Sequence, residues 1–418
     1  MNALGRTGSV VAGLVGLSLL SGCAVGEGSA TGAPSSDGDD VFAQMKPLEL
    51  TFNHTNPSGG HFEAATVAFT DYIEEATGGK VTFQTFYASS LIPAAEAFSG
   101  VGSQVADVSY TTTIGFENQF PVADWLSPAM SLDTDPYPLG DLVNYAAAND
   151  FIANEPALQA EYEALNVKPL WFVSASPGDM LCKDPIEDLA DASGRLTRSA
   201  SARMTTEVEA LGMTPLSMPF ADLYEGLQRG AINCVYTTAG NTTFKPYKLT
   251  EVAKNYLPVN GWTPIAAAGY IINLDLWNSF SGELKQVFQE ASTEAQRVHS
   301  QGAFEVVADF GATAEEDGIN FLETGELREV MSGLHSDLNA GLAAQAPTGV
   351  ENPEDLIQSL ANYRAKWREL LADGVVADMP DDAAVDGEGL RDAFAESAET
   401  IDWDAFSDLL HEQTAAAG

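Results

Sequence analysis

The chain has 418 residues, 60 Asp plus Glu against 19 Lys plus Arg, and a formal net charge of -41. At 45% hydrophobic and 9% aromatic it has the composition of a globular protein, long enough for two or three domains. A field this negative repels phosphate backbones and anionic lipid, and the scattered basic residues form no patch to offset it, so nucleic-acid binding is excluded.

The chain opens with a leader. Arg6 precedes a short apolar run over 10–20, too short to span a bilayer but suited to a signal peptide. It ends in Leu20-Ser21-Gly22-Cys23, which resembles a bacterial lipobox; residues 1–22 would be removed and Cys23 lipidated. Residues 23–47, rich in Gly, Ser, Ala and Asp without apolar periodicity, read as a flexible tether with a reach of roughly 25 Å.

Residues 48–53 alternate as a strand does, and 62–77 carry apolar residues at helical spacing closed by Gly78-Gly79. A strand at 80–87, a helix at 94–101 and a strand at 105–110 follow. The pattern predicts a helix over 141–164 and a buried strand over 167–174. Strands at 196–199, 213–216 and 231–236 alternate with helices at 202–211 and 221–229. This rhythm, twice over, predicts two α/β units with mostly parallel sheets. From 281 to about 314 the pattern is helical for over thirty residues, long enough to span both units. The acidic tail 351–418 is helical, with amphipathic runs at 356–371 and 403–410.

Catalytic signatures are absent: there is no GxSxG elbow, phosphate loop, GxGxxG after a strand, or HExxH. The five His (54, 61, 299, 335 and 411) are scattered, without metal-ligand spacing. No carboxylate pair is singled out by an apolar setting, and no cofactor is implied. With Cys23 assigned to lipid, Cys182 and Cys234 form either one disulfide, closing a loop of about 52 residues worth roughly 4 kcal/mol, or two buried thiols.

The run Pro185-Ile186-Glu187-Asp188-Leu189-Ala190-Asp191 through Gly194-Arg195-Leu196-Thr197-Arg198 carries a recognisable pattern. Leu211-Gly212-Met213-Thr214-Pro215-Leu216-Ser217-Met218-Pro219-Phe220 and Asp222-Leu223-Tyr224-Glu225-Gly226-Leu227-Gln228 follow in register. With Thr77-Gly78-Gly79, Asp107 and Asn273-Leu274-Asp275-Leu276-Trp277, these segments resemble the solute-binding proteins of TRAP transporters, DctP type. The resemblance covers roughly 49–345.

It implies an α/β, two-lobed periplasmic-binding-protein-like fold with a long helix crossing both lobes and an extra helical C-terminal tail. Lobe I would comprise 48–172 with about 262–312 returning to it; lobe II would comprise 173–261 with about 313–350, leaving 351–418 as an extension. Such a protein captures a small organic acid in the cleft between its lobes and delivers it to membrane permease subunits. It would be monomeric and touch the membrane only through its lipid. Competing readings are an ABC-type or sensory binding protein, and a secreted hydrolase or lyase.

Arg198 matches the family arginine that pairs with the ligand carboxylate, a role suited to a guanidinium fork at the end of a strand. Phe220 and Tyr224 match cleft aromatics; Asn53, His54 and His61 lie where the family contacts ligand, and Trp262 falls in a crossing segment. Thr237 replaces the usual ligand-binding Asn, with Asn241 a substitute, and Thr112 stands where sialic-acid binders carry Glu. A second family arginine is missing near 178–180. One cationic contact fits a monocarboxylate, sugar acid or aromatic acid better than sialic acid or a dicarboxylate. On this resemblance Cys182 and Cys234 fall in one lobe, where a bridge would stiffen it without blocking hinge motion.

Overall fold

A computed structural model of the chain describes residues 41–132, 135–238, 240–376 and 385–417. Cys23 and the leader lie outside the described residues. Among the described residues no helix is long and apolar enough to cross a membrane.

The strands of the body are β1 Leu48–His54, β2 Val81–Phe86, β3 Val108–Thr111, β4 Val167–Val173, β5 Asp179–Cys182 and β6 Leu196–Ser199. They continue with β7 Thr214–Ser217, β8 Cys234–Thr237, β9 Asn255–Leu257, β10 Ala268–Asn273 and β11 Asn320–Phe321. They form two sheets, ordered β2-β1-β3-β10-β4 and β11-β9-β5-β8-β6-β7. Each sheet defines one lobe, and the chain passes between them through 174–178 and 258–267.

The sheets are mixed rather than mostly parallel. β10 is antiparallel to β3 and β4, and β5 is antiparallel to β8 and β9. Direction explains it. The parallel strands end facing the crossing segments, whereas β5 and β10 each begin at one, so both must run the opposite way.

Alternation buries both faces of the first sheet. Phe52, Tyr270 and Ile272 pack with Phe69 and Phe288 on one side; Phe172 and Ile271 pack with Leu126 and Phe151 on the other. The helix expected over 141–164 is two helices, Leu139–Asn154 and Pro156–Ala164. Pro156 offers no N–H to continue the first, and Glu155 turns extended and caps Ala157. The first of these helices is buried on nearly every side.

The long helix Gly282–Ala312 is capped by Ser281, whose hydroxyl accepts from Leu284 N–H. Its 31 residues span about 46 Å. Phe288 and Ala291 pack in the first lobe, while Val307 and Phe310 pack with Tyr256 and Phe321 of the second.

The tail folds back as helices Pro353–Ala372, Gly387–Thr400 and Trp403–Ala417. Trp367 is buried against the first lobe, its indole N–H donating to Asp150 at 2.9 Å. Phe394 inserts between Tyr137 (4.6 Å between ring centroids) and Phe321 (5.8 Å). Trp403 packs on Phe304 of the long helix. Cys182 and Cys234, register partners on β5 and β8, are bridged by a disulfide.

Candidate functional site

The two crossing segments are laced together. Gly178 N–H donates to the Trp262 carbonyl (3.2 Å) and Gly261 N–H to the Gly178 carbonyl (2.8 Å). Tyr236, on β8, props this lacing: a Cβ on Gly178 or Gly261 would collide with its ring or hydroxyl. Its hydroxyl donates to buried Glu207 and accepts Trp262 N–H at 3.1 Å, and Glu207 also holds His335 Nε2 at 2.6 Å. Across the lobes, Arg203 makes a two-pronged ion pair with Asp124, at 3.0 and 3.1 Å.

Arg198 lies on β6 and is 6% exposed. Nη1 donates to the Tyr236 carbonyl (3.1 Å), Nε points to the Met218 carbonyl at 3.4 Å, and the guanidinium lies 5.4 Å from the Phe220 ring centre. Among the described residues no carboxylate pairs with it. Burial pushes its pKa down to about 10, so the protein holds a desolvated cation with donors to spare. Tyr247 packs edge-on against Phe220 at 4.7 Å. Its hydroxyl also adds to the burial-driven rise of the Tyr110 hydroxyl.

On the first lobe, His54 at the end of β1 stacks on Tyr110 at 4.4 Å, the rings nearly parallel. Burial pushes its pKa, and that of His61, down to about 4. His61 lies 5.1 Å from His299, so three of the histidines scattered in the sequence gather at one place. Nevertheless, no described group of three or more His, Cys, Asp or Glu could hold a metal ion.

The other expected residues divide. Trp262 is buried beside the lacing, its indole N–H unpartnered. Thr237 is buried on β8, its hydroxyl near the Thr238 carbonyl, and Asn241 lies on the helix Gly240–Thr243. Thr112 accepts Ile114 N–H in a local turn. Asn53 is committed within the first lobe, bonding the Ser109 hydroxyl and Ile92 N–H, which leaves its amide little for a ligand. Tyr224 donates its hydroxyl to Glu251 at 3.2 Å and, like Phe220, is half-buried against the core of the second lobe. Tyr110, Trp171, Tyr247 and His299 were not marked by any motif.

A cavity of about 670 Å³ opens between the start of helix Gly60–Ala76, Lys245-Pro246 and the long helix from Arg297 to Asp309. Arg198 does not line it. The two places are linked through Lys245-Pro246, which lead directly into Tyr247. Lys245 and Arg297 are already paired, with Asp309 and Glu294.

Two lobes on separate sheets, two crossing segments, a shared long helix and a buried unpaired cation define a two-lobed solute-binding protein. The family profile for bacterial extracellular solute-binding proteins, family 7 (DctP), matches residues 52–340. The chain belongs to that family. It is 22% identical over 285 residues to a solute-binding protein of Roseobacter denitrificans, covering 68% of this chain and 83% of that one. The structure of an extracytoplasmic solute receptor from Bordetella pertussis, described as binding pyroglutamic acid, superposes with a TM-score of 0.60. It is 17% identical and covers 76% of this chain and 99% of that one. A marine-metagenome TRAP solute-binding protein specific for pyroglutamate gives 0.61 at 18% identity, covering 77% and 99%. The shared fold thus ends before the full length of this chain.

Proposed function

We propose that the protein captures a small monocarboxylate between its lobes, anchors the carboxylate on Arg198 and delivers the acid to TRAP membrane permease subunits. The observation that carries this is a buried arginine with no acidic partner among the described residues, in a chain holding 60 Asp and Glu. Removing a cation from water is unfavourable unless an anion repays it, and here the anion comes from the ligand. Relatives of both kinds exist: two bind pyroglutamate and the Roseobacter protein was crystallised with L-galactonate, whereas a Rhodobacter capsulatus relative is a C4-dicarboxylate-binding protein; the single buried cation favours the first kind. Phe220, Trp262 and Thr237 line the approach to Arg198 in this reading. No cofactor or chemical step enters it.

The leader is proposed to be cleaved before Cys23 and the new terminus lipidated, holding a monomer at the outer face of the cytoplasmic membrane. Mass spectrometry of the mature chain tests this: an unmodified Cys23 removes the anchor. For binding, a melting screen of residues 24–418 against pyroglutamate, galactonate, galacturonate, succinate and sialic acid is decisive. A monocarboxylate should raise the melting temperature by mass action and be recovered unchanged. Turnover of the acid would instead indicate a hydrolase or lyase, and no shift with any organic acid would overturn the proposal.

A further inference from the structure

The described polar side chains in the first lobe's interior are mostly satisfied. Asn53 bonds at both ends of its amide, Tyr270 meets Thr66 at 2.9 Å, and Ser292 of the long helix donates to the Phe288 carbonyl at 2.7 Å. Asn144, Gln296, Tyr137 and Thr263 are exceptions, and a further group of exceptions gathers around His299. Neither ring nitrogen of His299 has a partner, and Nε2 of His54, Nε1 of Trp171 and Oγ of Ser300 are likewise unpartnered. All four residues are at least 95% buried. Each such group costs about 1–3 kcal/mol when left unmade, so a cluster of them marks a place built for something other than packing.

The cluster is contiguous through its rings. His299 lies 5.4 Å from Trp171 and 5.6 Å from Phe62; Phe62 lies 5.6 Å from Tyr110, which stacks on His54. It sits at the ends of β1 and β3, where ligands of open α/β sheets bind. Tyr110, Tyr247 and Phe220 lead from it toward Arg198.

Its chemistry is specific. Nδ1 of His54 faces both the N–H (3.1 Å) and the carbonyl (3.2 Å) of Asn56, so either tautomer fits and Nε2 can give or accept. The Trp171 indole is a donor only, and a neutral imidazole at His299 can both give and accept. Burial, with His61 and His54 nearby, holds His299 well below its usual pKa, so the set carries no charge near neutrality.

We propose that His299, with His54 and Trp171, binds the uncharged polar end of the ligand whose carboxylate Arg198 takes. The proposal rests on that carboxylate reading and deepens it. One fixed donor and two neutral imidazoles, each able to give and to accept, match a lactam, carbonyl or hydroxyl. A second carboxylate would meet no cation, and an ammonium would meet no anion. His299 is then a specificity-determining residue, and because it sits on the helix shared by both lobes, the ligand's far end registers directly on that helix.

His299→Phe keeps a ring and removes both nitrogens. Replacing an unpartnered polar group with an apolar one of similar shape is neutral or stabilising. The unliganded variant should therefore melt at or above the wild-type temperature. In the same variant, L-pyroglutamate should bind at least tenfold more weakly, while cyclopentanecarboxylate, its counterpart without lactam N–H and C=O, should be unaffected. Wild type should prefer the lactam, and the variant should lose that preference.

A lower melting temperature in the unliganded variant would assign the nitrogens to ordered structural water and overturn the proposal. Unchanged discrimination between the two acids would do the same. Arg198→Met, run in parallel, separates the two readings. If it alone abolishes binding, the carboxylate site stands and the His299 assignment falls; if it binds as wild type does, the carboxylate site itself is lost. Should neither acid bind wild type, the melting comparison of the unliganded proteins decides.

Discussion

Replacing Arg198 with Met should separate stability from binding. Burial moves the guanidinium pKa from its ordinary value to about 10, between two and three decades. At ~1.4 kcal/mol per decade, the charge costs about 3 kcal/mol in the unliganded fold. Against that stand hydrogen bonds to the Tyr236 and Met218 carbonyls, about 1 kcal/mol each, and a contact with Phe220 of about 0.5–1 kcal/mol. The terms nearly cancel, and Met keeps most of the stem's packing. Urea unfolding of the unliganded variant should therefore lie within about 1 kcal/mol of wild type. Ligand binding loses one side of a buried charge pair, about 2–5 kcal/mol, so calorimetry with the tightest acid should show affinity down thirtyfold to several thousandfold. Affinity within threefold of wild type, or a collapse of unliganded stability, would refute the reasoning.

Removing the disulfide with Cys182→Ala and Cys234→Ala should lower stability by about 4 kcal/mol for a loop of 52 residues. Ligand affinity should stay unchanged, because both strands belong to one sheet; a matched calorimetric and denaturant series checks both halves. Burial raises Asp179 to about 7, so its ionised form is disfavoured by folding, and the cost grows as pH climbs from about 4 to 7. His54 and His61, lowered by burial, act oppositely as pH falls below about 6.5, so the test is a difference: Asp179→Asn should gain more over wild type at pH 8 than at pH 5. An equal difference at both pH values would remove Asp179 as the source. Phe394→Ala should cost about 3–5 kcal/mol in urea melts, since its ring fills a site between Tyr137 and Phe321; a loss below 1 kcal/mol would show a loosely held tail.

Much of the fold could be read in advance. β1, β4 and β6 fall within a residue of the alternating runs that mark them, and the long helix stops near its expected ends. The antiparallel strands could not be read this way. β5 is four residues long, and its direction follows from where the chain crosses between sheets, which periodicity does not encode. The break at Pro156 was written in the sequence but overridden by the helical pattern around it. In the proposed site, motif register pointed to Arg198 and Phe220. It also pointed to Tyr224, whose hydroxyl meets Glu251, a partner 27 residues away. His54, His61 and His299 come from a strand, one helix and another far along the chain. Their meeting is a product of tertiary packing, and no local spacing announces it.

The tail also governs when the molecule can finish folding. Helix Leu139–Asn154 is buried nearly all round, and one side is covered by Pro353–Ala372, with Asp150 meeting Trp367 across 217 positions of sequence. Arg364 reaches the Leu132 carbonyl across 232. A chain emerging N-terminus first, from ribosome or translocon, must therefore carry this helix with an open apolar flank until its last segment arrives. Contacts so distant form slowly, because the loop entropy is lost before they can compensate it. Any product cut short after the second lobe presents that flank to proteases, so completeness of the polypeptide is checked by the fold itself.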